Sequence, residues 1–204
     1  MALCHPLLFA IIVSNWWDFG EVVKVRPALI IVDMVVDFVT GKFGNPYAQG
    51  IVPNIRLLID KAHEKNIPVI YLRDAHTEED KELSLWGKHA MEGDKGSEII
   101  PELSPQEGDY VIKKKVYSGF YKTNLEEVLR NLNVDTVILT GTSTHICVLH
   151  NSADAFFRGF EVIVVSDATA SFVPEEHERA LKYMKDIHNA KIYTTQELLE
   201  ILER

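Results

Sequence analysis

The chain is predicted to form an α/β fold of three layers, α/β/α, around a central, mainly parallel sheet. Two observations predict it. Short runs such as Pro27–Asp33 (PALIIVD), Ile67–Leu72 (IPVIYL), Asp135–Leu139 (DTVIL) and Phe160–Val165 (FEVIVV) are apolar almost throughout. That is the pattern of strands buried on both faces rather than on one. Between them lie longer segments with apolar residues at helical spacing, and strand-then-helix alternation implies parallel strands covered by helices on both sides.

In chain order, Pro27–Asp33 opens the sheet and Ile51–Asn66 is the first long helix, with Asn66 as its stop signal. Ile67–Leu72 is the next strand. The polar stretch from Arg73 to Gly108, broken by Gly87, Gly93 and Gly96, is read as an active-site loop, longer than most connections in a compact domain. Tyr110–Ile112 is a strand, Asn124–Leu132 a helix, Asp135–Leu139 a strand and Thr144–Phe157 a helix. After the strand at Phe160–Val165, Pro174 opens a helix that runs to Ile187, a position where the missing N–H of proline is harmless. Ala190–Tyr193 and Thr195–Leu202 supply a last strand and helix.

This pattern makes residues 25–204 one domain and leaves residues 1–24 as an N-terminal extension. Leu7–Val13 is apolar but too short to span a bilayer. No basic residue precedes it and no small-residue cleavage site follows, so it lacks the layout of a signal peptide. The extension is read as an appendage, with a packing arm or a membrane-touching segment as the alternatives.

The chain has 204 residues, a formal net charge of −9 and 47% hydrophobic residues. That is globular composition with an acidic balance, which argues against nucleic acid as a partner. No membrane partner is expected, and a cytoplasmic location is. Only two cysteines occur, Cys4 and Cys147, with neither a CxxC pair nor a Cys/His ladder. A lone internal cysteine is either an inert core residue or a nucleophile.

Ligands of parallel α/β sheets bind outside the carboxyl ends of the strands. The polar residues there are Asp33; Arg73, Asp74 and His76; Lys113 to Lys115; Thr140 to Cys147; and Ser166, Asp167 and Thr169. Cys147 falls near the start of a helix, where free N–H groups and the helix dipole favour a thiolate and can hold an oxyanion. Asp33 could take the thiol proton, though a turn or capping role is open to it as well. Any of Lys113, Lys114 and Lys115 could be a cation at the same edge; in an extended run Lys114 points away from its neighbours. Asp74 and His76, two apart, can share one face and meet a metal, with His89 as a third ligand. Such a set suits Zn²⁺, Fe²⁺ or Mn²⁺, while surface histidines without a metal are also common.

Several blocks together resemble one family: ALIIVDMVVDF, YLRDAH, WGKHAMEGDKGSEIIPEL, GDYVIKKKVYSGFYKTNL, VDTVILTGTSTHICV and ADAFFRGFEVIVVSDA. From about Arg26 to Thr194 the chain is similar to the isochorismatase-like cysteine hydrolases, which include nicotinamidases and N-carbamoylsarcosine amidases and share a Rossmann-like fold. The resemblance implies a triad of Asp33, Lys114 and Cys147, which selects Lys114 from the three lysines. It implies a cis peptide between Thr142 and Ser143 and an oxyanion hole from the N–H groups of Ser143 and Cys147. It also implies a metal on Asp74, His76 and His89, zinc first and iron or manganese next, with no organic cofactor. Trp86 matches an aromatic wall of the pocket; Phe38, Tyr117 and His145 fall at further substrate-binding positions.

Two positions depart from the family pattern. Val35 stands where nicotinamidases usually carry Gln, and His145 where Asp, Glu or Asn is common. True isochorismatases generally lack the nucleophilic cysteine, so Cys147 counts against vinyl-ether hydrolysis. The expected activity is hydrolysis of a small amide through a thioester, nicotinamide first and a carbamoyl or other linear amide second. A non-catalytic binding scaffold is the reading from a different class. The resemblance also implies a homodimer or homotetramer.

Overall fold

In the computed structural model, which describes residues 25–203, the apolar runs become the strands of one six-stranded, wholly parallel sheet. The strands are β1 (Pro27–Val32), β2 (Val69–Asp74), β3 (Tyr110–Lys114), β4 (Thr136–Thr142), β5 (Glu161–Ala170) and β6 (Lys191–Tyr193). Their order across the sheet is β3-β2-β1-β4-β5-β6. The chain thus builds outward from β1 in one direction, then returns to the other side of β1 with β4. That reversal leaves a crevice at the carboxyl ends of β1 and β4, the place where such sheets bind ligands.

The helices are α1 (Val36–Val39), α2 (Pro46–Gly50), α3 (Val52–Glu64), α4 (Leu83–Trp86), α5 (Leu125–Asn131), α6 (Leu149–Phe157), α7 (Pro174–Ile187) and α8 (Thr195–Glu203). Alternate residues of β1 face opposite layers, as a strand requires. Leu29 and Ile31 pack with Leu58 and Ile59 of α3 and Leu198 of α8. Ala28, Ile30 and Val32 pack with Leu129 of α5, Ala155 of α6 and Leu181 and Met184 of α7. The expected three-layer arrangement is therefore present, with an apolar core on each face of the sheet.

Local signals in the sequence act as expected at several ends. Asn66, just beyond α3, takes the left-handed conformation at φ +55°, which asparagine tolerates better than most residues. Pro174 opens α7. Elsewhere the structure corrects the sequence reading. The strands run further toward their carboxyl ends, to Asp74, Lys114, Thr142 and Ala170, because backbone pairing continues after the apolar pattern stops. The helix expected over Thr144–Phe157 opens instead as a π-helical turn, Thr144–Val148, in which the Val148 N–H donates to Ser143 O at 3.1 Å. The stretch 73–108 is not a plain loop: it holds α4 and two 3₁₀ turns, Lys95–Ser97 and Pro101–Leu103. The extension expected over residues 1–24 lies outside the described residues. Among the described residues no helix is long and apolar enough to cross a membrane.

Candidate active site

Close approach of β1 and β4 builds the floor of the crevice. Gly141 has φ +100°, and a Cβ there would stand 2.0 Å from Val32 O, so only glycine fits. The next peptide bond, Thr142–Ser143, is cis, as the resemblance implied. On the β1 side the chain turns at Asp33, which has φ +52° and is fully buried. Asp33 Oδ1 accepts the Asp74 N–H at 2.9 Å, which ties the ends of β1 and β2 together. Asp74 in turn pairs in register with Lys114 of β3, so the two side chains emerge on one face of the sheet. This register makes Lys114 the buried lysine, at 1% exposure, while Lys113 and Lys115 lie in solvent.

Lys114 Nζ stands 2.7 Å from Asp33 Oδ2, 2.6 Å from Asp74 Oδ1 and 3.7 Å from Cys147 Sγ. Cys147 is 6% exposed, and its sulfur and one oxygen each of Asp33 and Asp74 lie within 4.8 Å of one another. The three residues of the expected triad are therefore brought together. Asp74, read from the sequence only as a metal ligand, joins them.

The electrostatics follow from burial. Burial and the nearby Asp74 carboxylate push Asp33 up to about 7, against the pull of Lys114. Burial would lower Lys114, but Asp33 and Asp74 outweigh it and hold the ammonium well above its ordinary range. Burial lifts the Cys147 thiol well above its usual value, with Lys114 opposing. The balance of these effects favours a protonated thiol beside an ammonium, with a carboxyl group that exchanges its proton near neutrality.

A second cluster adjoins the first. Asp74, His76, Glu82 and His89 are all buried, and one ligating atom from each lies within 4.8 Å of the others. His76 Nδ1 lies 3.3 Å from Asp80 Oδ2, and Asp80 is itself held by the Thr77 N–H at 2.8 Å. His89 Nδ1 donates to Gly87 O at 2.7 Å, which leaves Nε2 as its free nitrogen. Carboxylate and carbonyl partners of this kind orient histidines for metal binding. His76 Nε2 makes no hydrogen bond of good geometry but lies 3.5 Å from Asp74 Oδ2 and 3.8 Å from Glu82 Oε2, and Glu82 Oε1 is buried without a hydrogen-bond partner. Two nitrogen and two oxygen donors, with Glu82 Oε1 unpartnered, fit Zn²⁺, Fe²⁺ or Mn²⁺. Burial and the Asp74 charge raise Glu82 to about 7. His76 is raised because Asp74, Glu82 and Asp80 outweigh its burial, whereas burial lowers His89.

A narrow cleft, open to solvent, lies above these groups. Phe38, Phe43, Trp86, Tyr117 and Phe172 wall it, Ser143 and Cys147 lie at its floor, and Asp74, Glu82 and His89 reach into it. At the mouth, Trp86 Nε1–H donates to Tyr117 OH at 3.1 Å. His145 is the exception among the expected pocket residues. Its Nδ1 lies 2.8 Å from Ser171 Oγ and its ring edges against Phe172, so it does not line the cleft. Val35 is fully buried and paired with Ile99, also away from the cleft.

Sequence reasoning missed Glu82, Phe43 and Phe172. Glu82 sits in the run Glu78–Glu82 (EEDKE), which reads as a solvated stretch, and only the fold carries it over His76. The two phenylalanines carry no local signal beyond being apolar residues after strands.

Cys147, Lys114 and Asp33 are thus gathered at the switch point of a parallel α/β sheet. A family model described as the isochorismatase domain matches residues 27–197, and the chain belongs to that family of hydrolases. It is similar in structure to the N-carbamoylsarcosine amidase of Thermoplasma acidophilum, with a TM-score of 0.80 and 41% identity over 84% of this chain and 97% of that one. It is also similar to the pyrazinamidase of Pyrococcus horikoshii in complex with zinc, with a TM-score of 0.77 and 33% identity over 83% of this chain and 99% of that one. Among curated proteins it is 32% identical to enterobactin synthase component B of Escherichia coli (strain K12) over 85% of this chain, and it spans 62% of that protein's length.

Proposed function

We propose that the chain is an amidohydrolase that cleaves a small, uncharged, flat amide, nicotinamide first, through a thioester on Cys147. The observation that carries this reading is the contact of Lys114 Nζ with Asp33, Asp74 and the Cys147 sulfur just beneath the floor of an aromatic cleft. Asp33 takes the thiol proton, and Lys114 steadies the anions on either side. The thiolate attacks the amide carbon, with the Ser143 and Cys147 N–H groups assigned to the oxyanion. Asp33 returns the proton to the leaving nitrogen, ammonia departs, and Asp33 then activates a water that hydrolyses the thioester to the acid and free thiol.

The cleft supports the choice of substrate. Its walls are aromatic, and no lysine or arginine is among the described residues that line it. Lys114, beneath the floor, is taken up by Asp33 and Asp74, so a substrate carboxylate would find no side-chain cation in the lining, whereas a neutral ring would find faces to stack on. Asp74, His76, Glu82 and His89 would hold a divalent metal. When bound, it would supply a Lewis-acidic contact for a ring nitrogen, and the two carboxylates would neutralise its charge. The second reading, a linear amide such as N-carbamoylsarcosine, is favoured by the 41% identity to the Thermoplasma protein. A cytoplasmic assembly of two or four copies, with neither nucleic acid nor membrane as partner, completes the proposal, and light scattering of the purified chain tests the copy number.

Ammonia release from nicotinamide, N-carbamoylsarcosine and a panel of small amides tests the reading, for the wild type and Cys147→Ala, before and after chelation. Release from nicotinamide by the wild type only, lost on chelation, is expected. Release from a linear amide alone would replace the substrate and keep the chemistry. No release from any amide, with Cys147 alkylated no faster than Cys4, would refute the enzyme reading and leave the scaffold.

A further inference from the structure

Asn151 lies on α6, one turn beyond Cys147, and is fully buried. A primary amide is costly to bury unless its hydrogen bonds are made. Here three are. Nδ2 donates to Cys147 O at 2.8 Å and to Tyr117 O at 3.2 Å, and Oδ1 accepts the Gly119 N–H at 2.9 Å. One side chain thus joins the turn that carries Cys147 to the loop that follows Lys114. Two strands, β2 and β1, separate β3 from β4, so sheet pairing does not join the segments beyond their ends directly. The loop comes this close because residue 119 is glycine: a Cβ there would stand 2.5 Å from Leu72 Cδ1 and 3.2 Å from Asn151 Oδ1. Tyr117, whose carbonyl Asn151 holds, also carries the hydroxyl that accepts the Trp86 indole N–H at the mouth of the cleft.

We propose that Asn151 is a positioning residue of the hydrolytic site: its amide locks the Cys147 turn and the loop after Lys114 into one frame, and so sets the thiol against the ammonium and the aromatic wall. The inference rests on the proposed role of Cys147 as nucleophile. Reacting groups tolerate displacements of well under 1 Å before rates fall by one to two orders of magnitude, so a bridge of this kind acts on rate more than on binding.

Asn151→Ala removes all three bonds. In Asn151→Ser the hydroxyl can still reach back to the carbonyl of Cys147, four residues earlier, but is too short to bridge to the loop. For both variants of the full chain, kcat and KM for ammonia release are measured, together with iodoacetamide modification of Cys147 relative to Cys4. In both, kcat is expected to fall about tenfold or more with KM within about twofold of wild type. Modification of Cys147 is expected to slow about tenfold relative to Cys4, because the thiol loses its aligned partners. A merely structural role would do the opposite: a loosened site exposes the buried sulfur, Cys147 reacts as fast or faster, and the proposal is overturned. Full recovery of kcat and reactivity in Asn151→Ser would overturn it too, since the tie to Cys147 O would then suffice. If the alanine variant does not fold, the serine variant decides. If wild type releases ammonia from no amide, the proposed function fails, while the ratio of Cys147 to Cys4 modification still reads the role of Asn151.

Discussion

Replacing Lys114 by methionine keeps most of the side-chain volume and removes one charge. In the wild type that charge stands 2.7 Å from Asp33 and 2.6 Å from Asp74, and all three residues are buried. Without it two buried carboxyl groups face each other with no cation between them. Removing one partner of a buried ion pair costs about 3–5 kcal/mol, because the remaining charge is left uncompensated. With an m-value of about 2 kcal/mol/M, that loss moves the urea midpoint down by roughly 1.5–2.5 M. Relief comes from protonation. Asp33 already sits at about 7 with the ammonium pulling it down, and without that pull it climbs further. A carboxyl group that stays protonated at neutral pH cannot take the thiol proton, so the rate of ammonia release should fall by roughly 10²–10³-fold even where the protein stays folded. Urea unfolding followed by circular dichroism reads the first effect, and an ammonia assay below the unfolding midpoint reads the second. An unchanged midpoint with retained turnover would refute the placement of Lys114 as the central cation.

Since the proposed reaction needs ionised Asp33, kcat/KM should rise with pH through about 7 and then level off. The stability contribution has the opposite sign. Asp33 binds its proton more tightly in the folded chain than at its ordinary 3.8, so between there and about 7 its share of stability falls as pH rises; unfolding of wild type and Asp33→Asn across that window measures it. Glu82→Gln and His89→Ala should each lower zinc retained after dialysis, by elemental analysis, roughly 10–100-fold in affinity or more. Zinc affinity of the wild type should weaken as pH falls below about 7, because protons compete for Glu82, at about 7, and for the raised His76; equal affinity on both sides of neutrality would contradict the four-residue donor set. Trp86→Ala should raise KM for nicotinamide about tenfold, the loss expected for an aromatic contact of about 1–1.5 kcal/mol, with kcat changed less.

The sheet was legible in the sequence because strands buried on both faces are apolar throughout, as Leu29–Val32 and Val162–Val165 are, and because these runs are short and rich in β-branched residues. Their carboxyl ends were not, because there the residues are polar: Thr140 to Thr142 and Ser166 to Thr169 keep the backbone pairing and abandon the pattern that announces it. Helices α1 and α2, of four and five residues, are too short to show a helical period. Lys114 was distinguishable from Lys113 and Lys115 by strand alternation, but which face was buried depended on pairing with Asp74 across the sheet, a contact over 40 residues of chain. Glu82 and Asn151 had no signal at all. The first is one acid among several, the second one polar residue on a helix, and each acquires its partners only when separate loops are folded against each other.

The most direct test of Cys147 as nucleophile is mass spectrometry of the chain quenched during turnover of nicotinamide. A nicotinoyl group on the peptide that contains Cys147, absent from Cys147→Ala and discharged as nicotinate accumulates, is the predicted result. Ammonia release with no acyl group on Cys147, together with turnover by Cys147→Ala, would contradict it.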